Sequence, residues 1–275
     1  MVDVKPVDPP APDTPGLSGT PRPVIGATPP LARRMLSEAV GTGLLVTVVV
    51  GSGIAAQRLS PNDVGLQLLE NSIATAFGLT VLILQFGPVS GAHFNPAVSL
   101  IDWMLGRGSG HGLPLRDVGA YSLAQTLGAI VGAGLANAMY SLTPFQVSTH
   151  HRATPGVLLG EVVATAGLIG LIFALARAGR APLSAAVVGA YIGSAYWYTS
   201  STSFANPAVT IGRIFSDTFA GIAPTSVIPF IAAQLVGAGL GAALVRALYP
   251  DVGEATDDVV VAHIDTHAQP RPSRP

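Results

Sequence analysis

The 275-residue sequence contains no cysteine, only one lysine (Lys5) and few charged residues of either sign. The absence of cysteine excludes disulfide bonds, thiolate metal sites and cysteine nucleophiles. Charged residues account for 11% of the chain, whereas a soluble domain carries roughly 25%. A net charge of −1 with so little lysine argues against a nucleic-acid partner, which usually requires a basic surface. Because 49% of the residues are hydrophobic, the class that remains is a polytopic membrane protein.

The two ends of the chain differ in composition from the middle. Residues 1–30 contain nine prolines and no apolar run, so we expect a disordered tail rather than a signal peptide. Residues 251–275 are again polar and contain proline, and we expect a second disordered tail there. The folded domain is therefore predicted to span residues 31–250.

The middle of the chain has two kinds of apolar stretch. A helix that crosses a bilayer needs about 20 mostly apolar residues. Six stretches meet this requirement: about 33–56, 66–87, 117–140, 156–177, 182–200 and 224–248. Two further stretches, 95–105 and 206–216, begin at Asn-Pro-Ala and have half that length, and proline directly after an N-cap asparagine starts a helix. The predicted fold class is an all-α membrane protein with six transmembrane helices and two half-helices.

Arginine and lysine positions predict the orientation in the membrane, because these residues are enriched in cytoplasmic loops. With a cytoplasmic N-terminus, most of them fall inside: Lys5, Arg22, Arg33, Arg34, Arg107, Arg116, Arg177, Arg180, Arg246, Arg271 and Arg274. Only Arg58, Arg152 and Arg213 fall on the other side or within the fold. We therefore expect a multi-pass protein of the cell membrane with both termini in the cytoplasm.

The two halves of the domain, about 33–140 and 156–248, repeat the same residues in the same order. The matched pairs are Glu38 with Glu161, Asn95 with Asn206, and Gln125 with Gln234. Each half has three spans, an odd number, so the two copies must be inserted upside down relative to each other. Inverted repeats with paired broken helices place a binding or permeation site at the midplane of the membrane.

These motifs resemble those of a known family. The segment Ser90-Gly91-Ala92-His93-Phe94-Asn95-Pro96-Ala97-Val98, the second motif Asn206-Pro207-Ala208 and the six-span frame are similar to the major intrinsic proteins, which include aquaporins and aquaglyceroporins. The similarity covers about residues 33–248. It implies a homotetramer in the lipid bilayer with one pore per subunit, small neutral solutes as its partners, and no cofactor or metal.

The half-helices suit a pore for neutral solutes. Their N-termini carry partial positive charge and would meet near the membrane centre, with the Asn95 and Asn206 amides free to donate to a passing oxygen. Such a site holds a neutral polar solute and repels protons and cations. The resemblance implies that backbone carbonyls of the preceding loops form the acceptor ladder, namely those of Gly91, Ala92, His93, Phe94, Thr202, Ser203, Phe204 and Ala205.

Glu38 and Glu161 lie in predicted spans, where a carboxylate needs a buried partner. By resemblance to the family, each would accept hydrogen bonds from one loop backbone and so pin that loop. In a coupled transporter the same residues would act as proton or ion relays. Their symmetric placement, one for each loop, favours pinning.

The sequence departs from the family at the selectivity filter. Most members carry arginine three residues after the second asparagine, whereas this chain has Val209. Counting from the two asparagines assigns the other filter positions to Thr75, Ser194 and Ser203, although an insertion in the loop would shift Ser194 by two residues. All four side chains are small, which predicts a wider and less charged filter. This pattern looks like the bacterial branch associated with arsenic resistance, so arsenous acid is a candidate solute beside other small polyols.

Other polar and aromatic residues have two interpretations each. Arg213 lies on the half-helix face of Val209 and is either a displaced positive charge at the outer mouth or an interfacial arginine whose stem packs against apolar surface. His93 either gates the inner mouth with pH or is structural. The pair His150 and His151 suits a solvated loop better than a metal site. An interfacial aromatic belt is the expectation for Tyr191, Tyr196, Trp197 and Tyr198.

Three classes of function are compatible with a membrane protein of this kind. A passive channel for water, glycerol-like polyols and arsenous acid is the leading hypothesis. An ion- or proton-coupled secondary transporter is the alternative, since inverted repeats and buried carboxylates also occur there. An intramembrane enzyme is disfavoured, because the spans contain no cysteine and no pair of aspartates.

Overall fold

The computed structural model describes residues 28–107 and 112–250, and all regular secondary structure in these ranges is helical. The α-helices are α1 (Leu31–Leu59), α2 (Val64–Ser90), α3 (Pro96–Gly106), α4 (Leu115–Met139), α5 (Pro155–Arg177), α6 (Ser184–Tyr198), α7 (Pro207–Gly212) and α8 (Pro224–Leu248). Short 3₁₀ helices precede α6 and follow α7, at Ala181–Leu183 and Arg213–Phe215. Apart from residues 28–30, the predicted disordered tails lie outside the described residues.

Five of these helices are long and apolar enough to cross a membrane: α1, α2, α4, α5 and α8. They correspond to five of the six predicted spans, so the all-helical fold class is confirmed. The predicted span 182–200 is shorter than expected, because α6 has only 15 residues. A straight helix of that length rises roughly 22 Å, less than the roughly 30 Å of a hydrocarbon core, and the 3₁₀ turn Ala181–Leu183 lengthens it at its start.

The half-helices α3 and α7 begin at the two Asn-Pro-Ala motifs. The Asn95 side chain accepts a hydrogen bond from the Ala97 backbone N–H, and the Asn206 side chain accepts from those of Ala208 and Val209. Each asparagine thus caps its own helix, and proline occupies the first helical position, where no N–H is needed. Helix α7 is shorter than predicted and ends at Gly212, which packs against Ala129 of α4 and would have no room for a Cβ.

Glycines on equivalent faces of α4 and α8 allow close helix packing. Gly128 and Gly132 of α4 lie directly against the carbonyls of Ala39 and Gly43 in α1, within the space that a Cβ would occupy. In the second repeat, Gly237 and Gly241 of α8 lie in the same way against the carbonyls of Val162 and Ala166 in α5. Small residues permit such backbone approach in membrane helices, so each repeat is built around one tight helix pair.

Large apolar side chains also cover the outside of the bundle. Phe77, Leu84, Leu159 and Ile228 are all more than 60% exposed. A soluble monomer rarely displays a continuous apolar surface of this kind, whereas lipid tails or neighbouring apolar chains solvate it well. The exterior therefore agrees with a protein that lies within a membrane.

Candidate functional site: a cavity between the two half-helices

Glu38 is fully buried in α1 and holds the loop before α3. Its two carboxylate oxygens accept hydrogen bonds from the backbone N–H groups of His93 (3.0 Å) and Phe94 (2.7 Å). The Ser90 hydroxyl (2.6 Å) and the Gln125 amide (2.7 Å) donate to the same carboxylate. Four donors around one carboxylate offset much of the cost of burying it at membrane depth.

Glu161 in α5 holds the loop before α7 in the same way. It accepts from the backbone N–H groups of Phe204 and Ala205, both at 2.9 Å, and from the Gln234 amide at 2.6 Å. The repeat detected in the sequence is therefore a repeat of contacts: one glutamate, one glutamine and two consecutive loop N–H groups in each half.

The two loops share an unusual backbone conformation. Four non-glycine residues at equivalent positions have positive φ: Ala92 (48°) and Phe94 (50°) in the first loop, Ser203 (51°) and Ala205 (47°) in the second. The left-handed region costs a residue with a Cβ roughly 1–2 kcal/mol. Such strain is retained where surrounding contacts hold it in place and concentrates at functional sites. Here Phe94 and Ala205 each donate their N–H to a buried glutamate.

Asn95 and Asn206 join the two loops across the centre of the bundle. The Asn95 amide donates to the carbonyl of Ala205, and the Asn206 amide donates to the carbonyl of Phe94, both at 2.7 Å. The sequence predicted that both amides are free to donate to a passing solute oxygen. The structure corrects this expectation: each amide commits one of its two N–H groups to the opposite loop, because an unpaired buried donor is costly.

The loops and α7 line one side of a cavity of about 720 Å³, part of it open to solvent. Of the eight residues whose carbonyls were predicted to form the acceptor ladder, six line it: Ala92, His93, Phe94, Ser203, Phe204 and Ala205. Gly91 and Thr202 do not belong to this lining. Gly91 instead terminates α2 as its left-handed C-cap, with a φ of 86°.

The rest of the cavity wall is mostly aliphatic, a feature that sequence reasoning did not identify. The apolar side chains in this part of the lining come from α1, α2, α3, α5 and α6: Leu45, Val49, Leu79, Ile83, Val98, Leu168, Ile172, Val188 and Ile192. In the sequence, apolar residues that line a cavity cannot be distinguished from apolar residues that pack in a helical core, because both recur every three or four positions. The cavity lining therefore combines residues of the two loops with a remainder that is mostly aliphatic and includes a few polar side chains.

Three of the four predicted filter residues line this cavity, namely Thr75, Ser203 and Val209. The prediction for Ser194 is wrong, because this residue is exposed, lies outside the lining and donates to the Tyr191 carbonyl in its own helix. Tyr196, two positions later, lines the cavity instead, with its hydroxyl 3.1 Å from the Thr75 hydroxyl.

A two-residue step rotates the direction of a helical side chain by roughly 200°, so Ser194 and Tyr196 face opposite ways. Counting back from Asn206 without a gap assigned Ser194 to the cavity, whereas Tyr196 is the residue that lines it. Tyr196 is 3% exposed and is not part of the interfacial belt predicted for it, whereas Trp197 and Tyr198 are about half exposed. The cavity lining thus has the aromatic side chain of Tyr196 beside Thr75, where the sequence predicted only small residues.

His93 and Arg213, for each of which the sequence left two interpretations, also line the cavity. His93 is buried, with Nδ1 3.0 Å from the Ser99 hydroxyl and its ring edge-on to Tyr121. Arg213 is 3% exposed, donates from Nε to the Ala220 carbonyl, and places its guanidinium carbon 3.4 Å from the centre of the Phe204 ring. Because Arg213 is buried in the cavity wall, it is not an arginine at the membrane interface, which was one of its two interpretations.

The outer loop contains the two adjacent histidines. His151 Nδ1 lies 3.1 Å from the Thr225 hydroxyl, and His150 Nε2 lies 3.9 Å from Asp217. Within the part of the chain that the structure describes, no three histidine, aspartate or glutamate side chains are grouped as a metal site would require.

Comparison with known proteins agrees with this geometry. The sequence profile of the major intrinsic proteins matches residues 27–203 and 198–269. Aquaglyceroporin AqpS of Rhizobium meliloti (strain 1021) is 49% identical over 216 residues, which cover 78% of this chain and 90% of AqpS. Aquaporin Z of Brucella melitensis biotype 1 is 32% identical over 237 residues, covering 79% of this chain and 98% of that protein.

A solved structure shows the same fold. The X-ray structure of the aquaglyceroporin from Plasmodium falciparum matches with a TM-score of 0.62 and 19% sequence identity, covering 81% of this chain and 99% of that one. At this identity the similarity concerns the fold alone. The profile match and the identity to AqpS show that this chain belongs to the major intrinsic protein family.

Proposed function

We propose that this protein is a passive channel for water and small uncharged solutes, with glycerol-like polyols and arsenous acid as candidates. The observation that carries the proposal is the composition of the cavity lining, in which residues of the two loops and both motif asparagines stand beside many aliphatic side chains. We expect the loop carbonyls and the asparagine amides to form a polar stripe along this lining. A polyol has the same division, since its hydroxyl groups need hydrogen bonds while its carbon skeleton does not. The similarity to an aquaglyceroporin and to an aquaporin supports glycerol and water as solutes.

The residues at the proposed filter favour the passage of solutes larger than water. Thr75, Ser203 and Val209 are small and uncharged, and only Tyr196 adds bulk. Arsenous acid is a neutral molecule with three hydroxyl groups and a size close to that of glycerol, so the same polar stripe would accept it.

A coupled transporter remains the alternative function, and the environment of the glutamates argues against it. Glu38 and Glu161 are 0% exposed, and both accept hydrogen bonds from two loop N–H groups and one glutamine. A relay carboxylate has to exchange protons or ions with both sides of the membrane, whereas these carboxylates are closed off by the backbone that they hold.

The orientation and assembly are also proposals. Arg34, Arg177 and Arg246 bind partners at one end of the bundle, namely Asp117, the Tyr249 carbonyl and the Met104 carbonyl. Such a basic end suits the cytoplasmic face of a cell membrane. The resemblance to the family supports a homotetramer, which native mass spectrometry of the detergent-solubilised protein would test.

Stopped-flow light scattering on proteoliposomes tests the channel function. The parent protein should pass water, glycerol and arsenous acid without any ion or proton gradient. Val209→Arg should lower glycerol and arsenous acid permeability at least about tenfold by adding bulk and charge to the filter. Val209→Leu is the matched control for bulk alone, and equal permeability of the Arg variant and the parent would contradict the filter assignment.

A further inference from the structure

Arg213 is a buried cation in the wall of the cavity, one turn beyond Val209 along the chain. It opens the 3₁₀ turn that continues α7, and both Arg213 and Val209 belong to the cavity lining. The neutral filter position and the charged position are therefore separate residues of the same wall.

The contacts of Arg213 leave most of its charge unneutralised. Its Nε donates to the Ala220 carbonyl and its guanidinium plane lies over Phe204, which holds the head group in place. Among residues 28–107 and 112–250, no carboxylate forms an ion pair with Arg213, and its side chain makes one hydrogen bond, from Nε. The two terminal nitrogens thus have donors to offer to the cavity.

A second arginine on the same ring has a different role. Arg152 lies with its guanidinium carbon 5.4 Å from the centre of the Phe204 ring, but it does not belong to the cavity lining. Its Nε donates to the Gly221 carbonyl (2.7 Å) and a terminal nitrogen donates to the Phe219 carbonyl (2.8 Å). Arg152 therefore ties two outer loops together, while its charge adds to the positive potential behind Phe204.

An unpaired positive charge beside a narrow, poorly hydrated passage repels cations much more strongly than it would in water. It does not hinder a neutral solute unless its side chain also fills the passage. We infer that Arg213 forms a charge barrier in addition to the half-helix N-termini: it excludes cations at the outer part of the cavity, while the neutral filter at Val209 leaves room for solutes larger than water. This inference rests on the proposed channel function.

Urea and guanidinium test the inference, because they have nearly the same planar shape and differ in charge. Radiolabelled influx of each into proteoliposomes is measured for the parent, Arg213→Gln and Arg213→Lys. Arg213→Gln should raise guanidinium influx relative to urea influx at least about tenfold, whereas Arg213→Lys should keep the parental ratio. Adding Val209→Arg to the Arg213→Gln variant should restore exclusion of guanidinium.

The outcomes separate the two proposals. If the parent passes neither glycerol nor urea, the channel function itself is wrong. If the parent passes them but Arg213→Gln excludes guanidinium as well as the parent does, Arg213 is not the barrier. An equal leak in the Lys and Gln variants would also overturn the inference, because charge would then not matter. A purely structural role predicts that both influxes fall together, and size-exclusion elution identifies a misfolded variant.

Discussion

The side-chain amide of Asn206 donates a 2.7 Å hydrogen bond to the backbone carbonyl of Phe94, which lies in the opposite repeat. The same side chain accepts hydrogen bonds from the first N–H groups of its own helix through its oxygen. One asparagine therefore caps a half-helix, binds the loop of the opposite repeat, and still has one N–H for a solute.

Asn206→Asp should separate these roles. An aspartate still caps α7, but it places a carboxylate oxygen against the Phe94 carbonyl where a donor is needed. The lost bond and the repulsion should destabilise the protein by about 1–3 kcal/mol and add negative charge at the helix N-termini, which favours cation entry. The measurements are the midpoint of thermal unfolding in detergent and guanidinium influx. Asn95→Asp, the equivalent change in the first repeat, should behave in the same way.

Glu161→Gln should damage the second loop. The glutamine would turn an NH₂ group towards the N–H groups of Phe204 or Ala205, both of which now donate to the carboxylate. Hydrogen bonds to a charged acceptor contribute roughly 1.5–3 kcal/mol each, so we expect lower thermal stability together with loss of glycerol permeability. A proton-relay role predicts instead a stable protein that has lost only its response to a pH gradient, and that result would refute loop pinning.

Gly132→Ala should force α1 and α4 apart. The new methyl group would overlap the Gly43 carbonyl, a backbone atom that cannot move without shifting the helix. Overpacking of this kind costs about 1–3 kcal/mol. Gly119→Ala in the same helix is the matched control, because nothing lies within 4 Å of its Cβ position. Equal unfolding midpoints for the two variants would contradict the close approach.

Tyr196 and Ser194 provide a direct test of the revised filter. Of the four proposed filter residues Thr75, Tyr196, Ser203 and Val209, only Tyr196 has a large aromatic side chain. Tyr196→Ala removes this side chain, so glycerol permeability should rise relative to water permeability by about threefold or more. Ser194→Ala should leave this ratio unchanged, because Ser194 is exposed on the other side of α6. The reverse ranking in stopped-flow measurements would restore the original assignment.

Asp217 predicts a pH response in the outer loops. The backbone N–H and hydroxyl of Thr149 donate to this carboxylate at 2.8 and 3.1 Å, and these bonds hold the pKa of Asp217 below its ordinary value of 3.8. A lowered pKa means that the contact stabilises the loop at neutral pH and is lost as the pH falls through the folded-state pKa. The protection factor of the Thr149 amide, which is its intrinsic exchange rate at a given pH divided by the observed rate, should therefore fall below about pH 4. It should be the same at pH 7 and pH 5. Asp217→Asn should show the lower protection factor at both of these values.

The sequence alone determined the helical class, the inverted repeat and the helix starts at Asn95 and Asn206. Hydropathy, proline position and repeated residues are local properties that need no knowledge of distant contacts. The resemblance to the major intrinsic proteins implied that Glu38 and Glu161 are partners of the loops, and their symmetric placement favoured that role over a relay.

Which side chains face the cavity was decided by the tertiary structure. Ser194 and Tyr196 have the same helical context, and only the rotation of α6 against α2 brings the Tyr196 hydroxyl to Thr75. Likewise, the burial of Arg213 depends on the Ala220 carbonyl and the Phe204 ring, which the fold brings to it from other segments. A residue count measures distance along the chain, whereas the orientation of a side chain depends on helix rotation, and that is set by packing against neighbours remote in sequence.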